Sequence, residues 1–153
     1  PAAAPNQVMG VFDAELVEPV ARVLQQLGSR HVMVVHADDG MDEISVSAPT
    51  NVAELKDGVV NVYKITPQDF GMSTADVSTL CVDSVEQSLA MIQSVFSNQS
   101  GPAMDIVCLN AGAAIYVSGL VSSHAEGVEL AHKVIKDGKA NSVLENLVKK
   151  SND

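Results

Sequence analysis

Residues 36 to 43 read His-Ala-Asp-Asp-Gly-Met-Asp-Glu, which places four carboxylates within the six positions from Asp38 to Glu43. So much negative charge on one short segment is unfavourable unless a cation offsets it. Mg²⁺ is commonly held by one or two carboxylates together with the phosphates of a substrate. The adjacent pair Asp42 and Glu43 are therefore the candidate metal ligands, with Mg²⁺ as the candidate cofactor. The competing reading is a solvated acidic loop that turns at Gly40. His36 offers a base or a ligand, although a single histidine closing a strand more commonly has a structural role. Asn110 lies among small residues, Ala111, Gly112, Ala113 and Ala114, where core packing is favoured over ligand contact. No P-loop, dinucleotide fingerprint or nucleophile elbow is present, so the catalytic and substrate-binding residues stay unassigned.

Composition narrows the setting of that loop. The 153 residues are 46% hydrophobic and only 3% aromatic, enough for one ordinary domain with a core. Nine basic against nineteen acidic residues give a formal charge of −10, which argues against nucleic acid and against an anionic membrane surface as partners. An anionic ligand would need a metal cation or basic groups brought by another segment. Cys81 and Cys108 form neither a disulfide framework nor a zinc-ligand spacing, which fits a reducing, cytoplasmic compartment. The first ten residues lack the pattern of a signal peptide. The most apolar stretch, Pro102 to Val121, reads as a buried helix, with Asp105 in its first turn.

The elements that must position the loop follow from periodicity. The run Gln7 to Phe12 predicts a strand, and the spacing of Leu16, Val20, Val23, Leu24 and Leu27 predicts a helix stopped by Gly28. Pro19 requires that helix either to kink or to begin near Val17. His31 to His36 is a near-continuous apolar run, as in a strand buried on both faces of a parallel sheet. Together they predict a βαβ unit with the acidic loop at the carboxyl end of its second strand, where ligands bind in open α/β sheets. Ile44 to Val46 reads as a short strand, and Asp57-Gly58 as the turn of a hairpin between Val52–Lys56 and Val59–Ile65. Thr66, Pro67 and Asp69 start a short helix that Gly71 ends. Helices are predicted over Val85–Ser97, Pro102–Gly119, Ala125–Asp137 and Asn141–Lys150, with a capping box at Ser123 and Glu126.

The segments PAAAPNQVMGVFDAELVEPV, HADDGMDEIS, APTNVAELKDG, ITPQDFGM, NAGAAIYVSG and EGVELAHKVIKDGKA, in this order, resemble the C-terminal portion of the anthranilate phosphoribosyltransferases. The likeness extends over essentially the whole chain. It implies part of the α/β domain of a fold shared with nucleoside phosphorylases, a mixed and mostly parallel sheet flanked by helices. It also implies transfer of phosphoribosyl from phosphoribosyl pyrophosphate to anthranilate in tryptophan biosynthesis, with Asp42 and Glu43 helping to bind the Mg²⁺ that carries the pyrophosphate.

The same resemblance implies that residues 1–153 form one partial domain. The family's glycine-rich phosphate loop and its N-terminal helical domain, through which such enzymes form homodimers, find no counterpart here. The expected partners are the two substrates and that N-terminal half, and the chain alone is expected to be inactive. Two other readings stand beside this one: an enzyme like the pyrimidine nucleoside phosphorylases, and a non-catalytic binding module of the same fold. The acid pair favours the metal-dependent transferase, because a phosphorylase needs no Mg²⁺–pyrophosphate carrier.

Overall fold

The computed structural model describes residues 4–152. A four-stranded sheet runs in the order β1 (Asn6–Gly10), β2 (His31–Ala37), β3 (Thr50–Lys56) and β4 (Val59–Ile65). Helix α1 (Val17–Gln26) joins β1 to β2, which pair in parallel with Asn6 opposite His31 and Gly10 opposite Val35. The βαβ unit is therefore present. Pro19 falls in the first turn of α1, where its missing N–H costs nothing, and a 3₁₀ turn over Ala14–Leu16 leads into it.

β2 and β3 pair antiparallel, as do β3 and β4. The sheet is mixed and flanked by helices, as expected, but it is not mostly parallel among the described residues: one pairing is parallel and two are antiparallel. What the apolar run of β2 reports is burial on both faces, which depends on the covering helices and not on strand direction. Val32 and Val34 face α1 together with Ala53 and Leu55, and Met33 and Val35 face the opposite side together with Val52. The hairpin turn is the one read from Asp57-Gly58, with positive φ at both residues (52° and 77°).

The second face is covered by helices. α2 (Val85–Phe96), α3 (Pro102–Val117), α4 (His124–Lys136) and α5 (Lys139–Ser151) follow within two residues of the predicted bounds. α3 is apolar on nearly every side and buries Met104, Cys108, Leu109, Gly112, Ala113, Tyr116 and Val117 between the sheet and α4. α3 and α4 approach at Gly112 and Gly127, where a Cβ on Gly127 would lie 2.2 Å from the Gly112 carbonyl oxygen. Ser123 caps α4 by accepting from the Glu126 amide at 3.2 Å, while the Glu126 carboxylate accepts from Ser122 and not from Ser123. No described helix is long and apolar enough to cross a membrane.

Candidate functional site

The acidic segment leaves the carboxyl end of β2 and crosses the carboxyl end of β1, where Gly10 meets the backbone of Asp42. The turn is closed by two backbone bonds, Gly40 N–H to the Ala37 carbonyl at 2.9 Å and Ala37 N–H to the Met41 carbonyl at 2.9 Å. Ile44 to Val46, expected as a strand, forms none. These three residues are buried and serve as the inner wall of the loop. The Ile44 N–H donates to Asn110 Oδ1 at 2.9 Å and the Ser45 N–H to Thr50 Oγ1 at 3.1 Å, while the Val46 carbonyl accepts from the Ala75 N–H at 3.0 Å.

The four carboxylates divide into two kinds. Asp38 accepts from Lys64 Nζ at 2.7 Å and from Asn51 Nδ2 at 2.8 Å, and the Lys64 ammonium holds its carboxyl below the usual range. Asp39 accepts from the Ser45 hydroxyl at 2.6 Å, the Ser47 hydroxyl and the Met41 amide. Partial burial pushes its pKa up, but the two hydroxyls and the amide outweigh burial and the net shift is downward. Both aspartates, though exposed, are thus engaged as structural anions that fasten the loop. Asp42 and Glu43 are exposed, and among the described residues neither carboxylate takes a hydrogen bond or an ion pair.

That free pair fits Mg²⁺ in one specific sense. No group of three or more His, Cys, Asp or Glu side chains able to hold a metal converges among the described residues. Two adjacent, unengaged carboxylates cannot enclose the ion, but they suit one that keeps its remaining positions for phosphate oxygens and water.

His36 has the structural role that was the commoner expectation. Its Nδ1–H donates to the Val11 carbonyl at 2.8 Å and ties β2 to the end of β1. Cys108 is buried beside Met104, and burial pushes its thiol up to about 11, so it is an inert core residue. Asn110 does more than pack. Besides accepting from Ile44 N–H, its Nδ2 donates to the Ile44 carbonyl at 2.9 Å and to the Ile106 carbonyl at 3.0 Å. Sequence reasoning missed this tie because the partners lie 66 positions apart. The only available signal was a polar amide in the middle of an apolar helix.

A second polar cluster lies at the other end of β2. Glu54 accepts from Tyr63 at 2.9 Å and meets His31 Nε2 at 2.8 Å, while the His31 ring stands edge-on to Tyr116. It is too far along the strands to share in the acid loop.

The chain has close similarity to known proteins. It is 60% identical to the anthranilate phosphoribosyltransferase of Thioalkalivibrio sulfidiphilus over 97% of its own length and 44% of that protein's. The anthranilate phosphoribosyltransferase of Thermus thermophilus superposes with a TM-score of 0.87 at 34% identity, again over 97% of this chain and 44% of the other. The yeast anthranilate phosphoribosyltransferase in complex with phosphoribosyl pyrophosphate and Mg has the same fold over 92% of this chain and 41% of its own, with a TM-score of 0.79 at 22% identity. The chain therefore spans under half the length of the relatives it matches. Residues 1–141 match the glycosyl transferase family, a/b domain, and on that match, together with the shared architecture, the chain belongs to this family.

Proposed function

We propose that the chain is the Mg²⁺-binding portion of an anthranilate phosphoribosyltransferase, in which it serves transfer of phosphoribosyl from phosphoribosyl pyrophosphate to anthranilate. The observation that carries this reading is the free acid pair: Asp42 and Glu43 are solvent-facing and, among the described residues, unpartnered at the carboxyl ends of two parallel strands, while Asp38 and Asp39 are engaged by Lys64, Asn51, Ser45 and Ser47. The similar proteins are transferases of this name, and one of them is in complex with phosphoribosyl pyrophosphate and Mg.

In this reading Asp42 and Glu43 would hold the Mg²⁺ that accompanies the pyrophosphate of the substrate. When bound, the ion supplies positive charge to a leaving group that gains negative charge as the ribose bond breaks. The chain's own contribution is placement. Asp38 fastens the loop to β3 and β4, Asp39 ties it to Ser45 and Ser47, and His36 fastens the strand ends beneath it. Neither acid of the pair needs to carry a proton. The groups that cradle the ribose phosphate and recognise anthranilate belong to the rest of the enzyme, as do its homodimer contacts, and the complete protein works in the cytoplasm.

The test is the pair Asp42→Asn with Glu43→Gln in the complete enzyme, with anthranilate consumption followed across Mg²⁺ concentrations. Both residues are exposed, so the variant should melt with the parent. Its turnover at limiting Mg²⁺ should fall by about 10² to 10³, as for loss of one transition-state charge stabiliser. Near-parental turnover under those conditions would overturn the assignment.

A further inference from the structure

We infer that Asn110 is the positioning residue of the metal-binding pair, acting from the middle of α3 through the backbone of Ile44. This rests on the reading of Asp42 and Glu43 given above, and on a geometry that is independent of it.

An asparagine amide carries one acceptor oxygen and two donor hydrogens on its nitrogen, and here one acceptor site and both donors are engaged. Oδ1 accepts from the Ile44 N–H and Nδ2 donates to the Ile44 carbonyl, both at 2.9 Å, so the side chain grips both polar groups of one residue as a neighbouring strand would. The remaining donor goes back to the Ile106 carbonyl, one turn earlier on α3, at 3.0 Å, which fixes the orientation of the amide on its own helix. Ile44 is the residue directly after Glu43 and is only 2% exposed, wedged into the core beneath α3.

On the other side of the pair, the Gly10 backbone lies against that of Asp42. The two acids therefore stand between a backbone stop on β1 and an amide clamp on α3. Their main chain is held while their carboxylates face solvent. Asp38 and Asp39 fasten the loop at other points, but the exposed acids of the pair still repel each other. The clamp fixes the main chain directly after Glu43 before any cation arrives, and groups that orient metal ligands commonly account for about 10- to 100-fold in metal affinity. A plain packing residue on α3 would be apolar, and would leave both the Ile44 N–H and carbonyl without partners.

The experiment measures binding of Mn²⁺ in the presence of pyrophosphate to the complete protein, by calorimetric titration, alongside thermal melting and amide exchange at Ile44 in the metal-free state. The variants are Asn110→Ala, the Asp42→Asn with Glu43→Gln pair, and all three changes together. The expected result is a loss of about 10- to 100-fold in Mn²⁺ binding for folded Asn110→Ala, with faster exchange at Ile44. The triple variant should bind no more weakly than the acid pair variant, because both act through the same carboxylates.

Unchanged Mn²⁺ binding in folded Asn110→Ala, with binding lost in the acid pair variant, would overturn the positioning role and leave the metal assignment standing. Unchanged binding in the acid pair variant would overturn the metal assignment, and the positioning role with it. Should Asn110→Ala not fold, Asn110→Asp is judged by the same criteria. It keeps the acceptor for the Ile44 N–H but sets a carboxylate against two carbonyl oxygens.

Discussion

Gly10 and Asp42 touch through their backbones across 32 positions of sequence: a Cβ placed on Gly10 would lie 1.6 Å from the Asp42 carbonyl oxygen and 2.6 Å from its carbonyl carbon. No side chain fits between the end of β1 and the acid loop. The obstacle is backbone on both sides, so rotation of a flexible side chain cannot relieve it. We predict that Gly10→Ala pushes the loop away from β1, costing about 1 to 3 kcal/mol of stability as an overpacking change. It should also raise the Mg²⁺ concentration needed for half-maximal turnover of the complete enzyme. A variant with parental melting and an unchanged Mg²⁺ curve would show that the loop tolerates displacement.

The acid pair was legible in sequence because adjacent carboxylates after an apolar run are a local signal, and the end of β2 is where such a loop must fall. Which of the four carboxylates are free was not legible. That depends on Lys64 and Asn51 reaching Asp38 from β4 and β3, and on Ser45 and Ser47 folding back onto Asp39. The Ile44–Val46 expectation failed for a related reason. The alternation of apolar and polar residues in Ile44-Ser45-Val46 resembles a strand, but the Ile44 peptide finds its partner in the side chain of Asn110 and not in a neighbouring strand. The direction of β3 was likewise hidden, since α1 and α3 bury β2 on both faces whichever way its neighbour runs.

His124, the first residue of α4, titrates with a definite sign. Its Nε2–H donates to the Leu109 carbonyl at 2.9 Å and its ring packs edge-on against Phe70. Burial holds its pKa below the ordinary histidine value, only partly offset by the bond to Leu109. The folded state thus favours the neutral ring, and the unfolded chain takes up the proton first as pH falls. Stability from this group is present above about pH 6.5, the unfolded histidine value, and is lost as pH falls toward the depressed folded value. The loss is at most about 1.4 kcal/mol per pH unit for one proton. Chemical denaturation between pH 7.5 and about 5.5, a window set by that same histidine value, should show a shallower decline for His124→Gln than for the parent. Equal slopes would place the pH response elsewhere.

Two neighbouring alanines on α3 give a test of its packing. Ala113 is 0% exposed within the main core, whereas Ala114 faces outward in this chain. Ala113→Leu should cost about 1 to 3 kcal/mol by overpacking. Ala114→Leu should stay within about 0.5 kcal/mol of the parent, as surface changes do. Melting temperatures of the two variants of this chain, compared side by side, decide the matter. Equal destabilisation would mean that α3 is packed on both flanks, with the outward face covered by association of the chain.

The last prediction is that the 153-residue chain, by itself, does not consume anthranilate. Transfer of this kind depends on holding two substrates in register while charge develops, so most of the barrier reduction comes from positioning and preformed electrostatics. Among the described residues the chain offers one free acid pair, and no third metal-binding side chain stands near enough to complete a cation site without substrate oxygens. Lys64, a cation beside the loop, is paired to Asp38 at 2.7 Å, and the chain's formal charge of −10 repels a pyrophosphate that arrives without metal. Among the described residues the sheet also ends at β1, a parallel strand with one unpaired edge, and α2 presents Leu89 and Ile92 at 48% and 42% exposure. An open edge and an apolar helix face favour association over catalysis. Co-production with the remaining portion of a close relative's enzyme should restore phosphoribosyl pyrophosphate-dependent turnover, if that portion pairs with β1 and covers α2. Turnover by the rigorously purified chain alone, abolished by Asp42→Asn with Glu43→Gln, would show that the substrates need no more than this loop and the sheet beneath it.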